Sequence, residues 1–200
     1  MATVSESGTT VGHLALVGLM GSGKTAVGRV LADRLRRRHV DLDLAVTQLA
    51  GRSIGVIFHE GGESTFRDLE AQSLVLQLAV GDPIVLSTGG GVLVRGENRA
   101  ALATGSTVVW LRTQLETLAD RVGDGGGRPL LEGLDAIAVL RDLAEDRHPV
   151  YEWAANVIVD TDGLTVGEVA DAVLKALMDA GLIRPEVLAG STVDGAGGRS

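Results

Sequence analysis

Short apolar runs alternate with longer stretches of helical period along the chain. Leu14–Val17 is apolar throughout, which predicts a short strand buried on both faces. Between Ala26 and Arg38 the apolar Val27, Val30, Leu31 and Leu35 recur at helical spacing, so a helix is expected there. His39–Asp43 reads as a second, brief strand that closes on two aspartates. A long helical stretch follows from about Glu63 to Ala79, then strands at Pro83–Ser87 and Ser106–Leu111. Thr113–Glu116 has the Thr-x-x-Glu spacing of a capping box and predicts a helix to about Val122. Leu134 to about Trp153 is helical, and Asn156–Asp160 is a fifth strand. Thr165–Glu168 is a second capping box, opening a last helix to about Ala180. Strands alternating with helices predict βαβ units, a mostly parallel sheet and hence an α/β fold.

Three glycine runs punctuate this pattern. The first, Gly18–Thr25, reads GLMGSGKT and fits G-x-x-x-x-G-K-[ST] at Gly18, Gly23, Lys24 and Thr25. Glycines let successive backbone N–H groups turn inward around a phosphate, and the following helix adds the positive end of its dipole. Gly21, Ser22, Gly23 and Ala26 supply that backbone. Lys24 reaches the β/γ-phosphates and the Thr25 hydroxyl ligates Mg²⁺ in such loops. On this chain's own residue usage, chance matches number roughly 0.005. The loop also lies between a predicted strand and a predicted helix, so nucleotide binding is the expectation.

A phosphate loop does not name a reaction. The guanine signature Asn-Lys-x-Asp is missing from the sequence. Asp41 and Asp43 close the second predicted strand, where the carboxyl end of a parallel strand faces the ligand crevice. One acidic group there can hold hydrated Mg²⁺, and the other can accept a proton from an attacking alcohol. A solvated strand end or a helix N-cap pair is the bland alternative. Arg67 and Glu70 stand three apart on a helix and can pair, holding a guanidinium where it could clamp a carboxylate bidentately. An ordinary surface ion pair, worth under ~1 kcal/mol, is the competing reading.

The order and spacing of several motifs resemble those of shikimate kinases. They are the phosphate loop, Asp41-x-Asp43, Ser53-Ile-x-x-Ile-Phe58, Gly62-Glu-x-x-Phe-Arg-x-x-Glu70, Gly89-Gly-Gly91, Arg128-Pro-Leu-Leu131 and Arg147-x-x-x-Tyr151. The resemblance runs from about Leu14 to Leu177. It implies a three-layer αβα P-loop kinase fold, nucleoside-monophosphate-kinase-like, with a five-stranded parallel sheet of order 2-3-1-4-5. It also implies ATP-dependent phosphorylation of the 3-hydroxyl of shikimate, in aromatic amino-acid biosynthesis, with Mg²⁺ as cofactor. Further implications are that Asp43 contacts the reacting hydroxyl and Asp41 helps place Mg²⁺ through water. Arg67 and Arg147 would grip the shikimate carboxylate, with Glu70 beside them, and the backbone of Gly89, Gly90 and Gly91 would form a floor for the acceptor. Phe58 and Phe66 would line that pocket, Arg128 would reach ATP phosphates from a lid, and Arg121 would lie near the adenine.

The domain expectations are a flexible segment 1–12, one kinase domain 13–182 and a disordered tail 183–200. Within the kinase domain a substrate-binding region spans about 43–70 and the lid about 122–133. After the fifth strand, where the family often has a polar adenine contact, the chain reads DTDGLT (Asp160–Thr165), which leaves backbone contacts to the base. Two other readings remain open from the residues. One is another small-molecule P-loop kinase, for gluconate or a nucleotide; the other is a non-catalytic nucleotide-binding subunit on the same fold.

Composition narrows the classes. The chain has 200 residues, a net charge of −8, no cysteine and 2% aromatics. That argues against a nucleic-acid or membrane-surface binder, a disulfide or Cys-type zinc site, and stacking platforms for single strands. Arginine takes nearly every basic position, lysine occurring only at 24 and 175; its planar fork suits carboxylate and phosphate. Arg34–Arg38 is expected at a helix C-terminus, where cations offset the dipole. His13, His39, His59 and His148 lack metal spacing and are expected at the surface or at strand ends, and Trp110 and Trp153 are expected in packing. No apolar run approaches the ~18 residues of a membrane span, and the first dozen residues lack a signal peptide's features. A cytoplasmic monomer is expected.

Overall fold

The computed structural model describes residues 12–122 and 136–184. The expected N-terminal segment and tail therefore fall mostly outside the described residues, as does the expected lid beyond Val122, Arg128 included. The elements are β1 (His13–Val17), α1 (Lys24–Arg34), β2 (Arg38–Asp41), α2 (Leu42–Ala50), α3 (Ile54–Leu78), β3 (Ile84–Ser87) and α4 (Gly96–Gly105), then β4 (Ser106–Arg112), α5 (Leu115–Val122), α6 (Ala136–Ala154), β5 (Val157–Asp160) and α7 (Val166–Asp179). The five strands are parallel, in the order β2-β3-β1-β4-β5. Both the α/β class and the strand order expected from the sequence are thus found.

Alternate residues of β1 serve opposite faces of the sheet. Leu14 and Leu16 pack with Val85, Val109 and Leu111 beneath α1 and α7. Ala15 and Val17 face the other way, with Leu86, Val108 and Trp110, against α4, α5 and α6. With both faces covered, the inner strands β1 and β3 are buried at every residue, whereas the edge strand β5 alternates buried and exposed positions. The α7 capping box forms as expected: Thr165 N donates to Glu168 Oε2 at 2.8 Å and Glu168 N to Thr165 Oγ1 at 3.3 Å. It sets the helix so that Val169, Val173 and Leu177 are buried, each such residue contributing on the order of 1.5–3 kcal/mol before chain entropy is counted. The packed core reaches Ile183. Among the described residues no helix is long and apolar enough to cross a membrane.

Several local expectations are corrected. Helix α1 ends at Arg34, and Arg36 takes a left-handed φ of 52° so that Arg38 can enter β2. Only Arg34 of the arginine run lies in the last helical turn. The expected helix from Glu63 is found, but a further helix from Ile54 precedes it in α3, the two joined across Gly62, whose φ is 69° and ψ −176°. The Thr113 capping box does not cap α5. The buried Thr113 hydroxyl pairs with Thr161 at 2.6 Å, and the Gln114 N–H donates to the Asp162 carboxylate instead. Trp110 is packed as expected, but Trp153 is 70% exposed.

Candidate active site

The carboxyl ends of the parallel strands bring the predicted motifs together. The loop after β1 carries the first glycine run and opens directly into α1. Gly18 sits at φ 143°, and a Cβ there would lie 2.6 Å from the Leu111 carbonyl oxygen. The backbone of β4 thus leaves room only for glycine. Lys24 Nζ donates to the carbonyls of Gly18 and Leu19, each at 2.8 Å. The loop is thereby closed around its own lysine. From β3, the Ser87 hydroxyl donates to the Lys24 carbonyl at 2.9 Å and stands 2.9 Å from His39 Nε2. This buttress under the phosphate loop had no motif to announce it.

The two aspartates divide their roles. Asp41 ends β2 and caps α2: its Oδ1 accepts from Asp43 N at 3.1 Å and Leu44 N at 3.3 Å. Its Oδ2 accepts from Thr25 Oγ1 at 2.9 Å. The N-cap alternative is therefore realised for Asp41, which also holds the phosphate-loop hydroxyl. Asp43 is not at the strand end as expected but in the first turn of α2. Its Oδ1 is buried without a hydrogen-bond partner. Burial, and then the neighbouring Asp41 charge, push its pKa above the usual carboxylate value, against the pull of Lys24 and Arg67.

Arg67 and Glu70 are both buried, and Nη1 of the arginine donates to Glu70 Oε2 at 2.9 Å. The bland surface-pair reading is thereby replaced, because the Glu70 side chain is wholly enclosed. Burial raises the pKa of Glu70, partly offset by Arg67. Phe66 is buried and Phe58 is packed beside it at 5.0 Å between ring centroids. With Val46 and Ile57 they form a small core of their own under the region 43–70. The Arg67 guanidinium lies 5.2 Å from the Phe66 ring centre, so these rings support the arginine.

The middle glycine run meets a different site residue at each position. A Cβ on Gly89 would come within 3.0 Å of Glu70 Oε1 and 3.1 Å of Asp43 Oδ1. On Gly90 it would lie 3.4 Å from Arg147 Nη1 and 3.4 Å from the Gly18 carbonyl oxygen. On Gly91 it would be 2.7 Å from Arg67 Cζ. None of the three has a left-handed φ; close approach, not backbone strain, sets the requirement. Arg67 and Arg147 thus face adjacent residues, whose Cα atoms are ~3.8 Å apart. Tyr151, one helical turn after Arg147 on α6, donates its buried hydroxyl to the Gly90 carbonyl. Burial raises the pKa of that hydroxyl, so it stays a donor. Beside this floor lies a cleft of about 400 Å³ whose lining includes Glu63, Gly90, Arg147 and Tyr151.

Arg121, at the end of α5, lies on the far side of the phosphate loop. Its Nη1 is 3.5 Å from the Gly21 carbonyl oxygen and its Nη2 is 3.4 Å from that of Thr161. Phosphate loop, aspartates, Arg67, Glu70, glycine floor and Arg147 therefore converge, with Arg121 at the nucleotide-loop end. Tyr151, Glu63 and Ser87 also belong to the site, although no role for them was apparent in the sequence. The first two stand inside quoted motifs, so only their spacing hinted at them.

The oxygen set is suited to a small hard cation. Thr25 and Asp41 offer a hydroxyl and a carboxylate already within 2.9 Å of one another. Among the described residues no group of three or more His, Cys, Asp or Glu could hold a metal by itself. Such a sparse set fits Mg²⁺ that arrives with nucleotide phosphates and keeps most of its waters.

Comparison with known proteins agrees with this geometry. A family model described as shikimate kinase matches residues 20–178. A shikimate kinase of Symbiobacterium thermophilum is 46% identical over 171 residues, covering 84% of this chain and 98% of the relative. One of Caulobacter vibrioides is 44% identical over 167 residues, covering 84% and 82%. The solved structure of the Acinetobacter baumannii shikimate kinase in complex with shikimate superposes with a TM-score of 0.82 at 34% identity, covering 88% of this chain and 98% of that one. A gluconokinase from Sinorhizobium meliloti superposes with a TM-score of 0.59 at 20% identity, a likeness of fold alone.

Proposed function

The chain belongs to the shikimate kinase family, and from that premise we propose how its residues carry ATP-dependent phosphorylation of the shikimate 3-hydroxyl. ATP sits with its phosphates in the loop Gly18–Thr25, on backbone N–H groups of Gly21, Ser22, Gly23, Thr25 and Ala26, at the start of α1. Lys24 turns from the loop carbonyls to the β/γ-phosphates. Thr25 and Asp41 would hold Mg²⁺, which when bound would supply charge neutralisation for phosphoryl transfer. Arg121 lies by the adenine. Arg128, outside the described residues, reaches the phosphates from the lid.

Shikimate fits the acceptor side because the site concentrates arginine beside a polar backbone floor. Arg67 and Arg147 take its carboxylate, and the backbone of Gly89–Gly91 supports its ring. Asp43 accepts the proton of the attacking hydroxyl. The observation that carries this reading is the buried, unpartnered Asp43 Oδ1 beside the glycine floor. A carboxylate whose pKa is raised by burial is a stronger base when ionised, and water would compete little with the acceptor for it. Little covalent chemistry is asked of the protein; positioning and charge neutralisation supply most of the acceleration. The enzyme acts as a monomer in the cytoplasm.

The test is ADP release by the purified protein against shikimate, gluconate and nucleoside monophosphates, with the product phosphate located by NMR. Turnover with shikimate and phosphate on the 3-oxygen is expected. Phosphate on another oxygen, or turnover independent of shikimate, would refute the placement of Asp43.

A further inference from the structure

Arg67 already holds two carboxylates before any ligand arrives, through three of its five N–H donors. Its Nη1 is held by the wholly enclosed Glu70. Its other edge, Nε and Nη2, donates to Glu63 Oε1 at 3.2 and 2.9 Å. Both bonds fall on one Glu63 oxygen, on an edge whose paired N–H groups could instead take a ligand carboxylate with two parallel bonds. Glu63 differs from Glu70 in one decisive respect: its side chain is 58% exposed. It also begins the second half of α3, directly after the break at Gly62, and it lines the cleft that Gly90, Arg147 and Tyr151 share. One carboxylate on Arg67 is thus fixed, and the other can swing into water at little loss.

We propose that Glu63 is an internal stand-in for the acceptor's carboxylate, occupying the open edge of Arg67 in the empty protein and displaced by acids that bind there. The inference rests on the reading of Arg67 as the acceptor clamp. Glu63 keeps the buried guanidinium compensated and oriented while the site is empty. It also sets a threshold for entry. A ligand without a carboxylate cannot replace the contact it would break, so it gains nothing by displacing Glu63. An acid must outcompete a tethered rival, and its measured affinity is the difference between the two contacts. Glu63 is therefore a specificity-determining and positioning residue, not a catalytic one. An ordinary i, i+4 pair on a helix surface would stabilise the helix equally but would not compete with substrate.

Steady-state kinetics of Glu63→Gln and Glu63→Ala separate these roles. Removing a half-exposed competitor should lower the shikimate KM roughly two- to fivefold, with kcat and the ATP KM unchanged. Inhibition by the neutral methyl ester of shikimate should not tighten, because the ester makes no carboxylate contact. A shikimate KM unchanged or raised in both variants, or equal tightening of acid and ester, overturns the inference. Arg67→Lys is the control. If it raises the shikimate KM while the Glu63 variants do not lower it, only this inference fails. If Arg67→Lys leaves the KM where it was, the clamp reading itself fails.

Discussion

Alanine at position 91 puts a methyl group against the Arg67 guanidinium, the proposed acceptor clamp. The Gly91 backbone, at φ −99°, accepts an alanine without strain, so the effect comes from contact alone. The added Cβ would meet Arg67 Nη2 first, and would lie 2.7 Å from both Cζ and Nη1. Ordinary carbon contacts begin near ~3.5 Å, so the guanidinium must retreat by roughly 1 Å. Its Nη1 bond to Glu70, 2.9 Å long, then passes out of hydrogen-bond range, and the fork no longer points at the acceptor. Losing one charge-assisted hydrogen bond to the acceptor carboxylate in this way costs about 1.5–3 kcal/mol, or about 10- to 150-fold in shikimate kcat/KM. The companion Gly90→Ala meets its nearest atoms at 3.4 Å, ordinary contact, and should lose no more than about threefold. Coupled ADP-release kinetics with shikimate varied at saturating ATP measure both, and the ATP KM should not move. An unchanged shikimate KM in Gly91→Ala, or a larger loss in Gly90→Ala, would refute the close-approach account of the glycine run.

Three further outcomes follow from the geometry. Tyr151→Phe leaves the Gly90 carbonyl without its buried donor, so stability should fall by about 1–2 kcal/mol in chemical denaturation and the shikimate KM should rise more than the ATP KM; equal changes in both would point to a general packing defect. Asp43→Asn should stabilise the protein in a pH-dependent way. Because burial raises the folded pKa of Asp43, the native state holds its proton more tightly, and stability from this group is lost as pH rises through the folded value. Melting temperatures should therefore coincide below about pH 4, the unfolded value, and separate in favour of Asp43→Asn toward neutral pH; a variant less stable at pH 7 would contradict the burial argument. Thr25→Ala should raise the Mg²⁺ concentration needed for half-maximal turnover with the shikimate KM unmoved, and an unchanged Mg²⁺ titration would remove Thr25 from the metal site.

The sheet and the phosphate loop were legible in the sequence because their physics is local. Doubly buried parallel strands are apolar throughout, and the loop needs fixed residues at fixed spacing. The Thr165–Glu168 cap was legible for the same reason. Thr113–Glu116 has identical spacing yet failed, because Thr161, 48 residues later in the chain, takes the Thr113 hydroxyl. The helix from Ile54 went unpredicted because the Gly61-Gly62 pair interrupts the helical pattern, and Gly62 is a break between two helices. Asp43 could be named as a candidate from its motif, but its burial could not, since that depends on Gly89, a distant residue. Tyr151 and Glu63 act through partners that only the fold supplies: a backbone carbonyl on another element, and the second edge of a shared arginine.

The central claim is that Asp43 receives the proton of the shikimate hydroxyl as the phosphoryl group arrives. Its most direct test is Asp43→Asn, which keeps shape and removes the base, followed by shikimate-dependent ADP release and by ATP binding in calorimetry. Positioned general bases contribute about 10²- to 10⁴-fold, so kcat should fall by at least about 100-fold while the ATP dissociation constant stays within about twofold. A variant that keeps a tenth or more of the wild-type kcat, or that loses ATP binding together with turnover, would contradict the account.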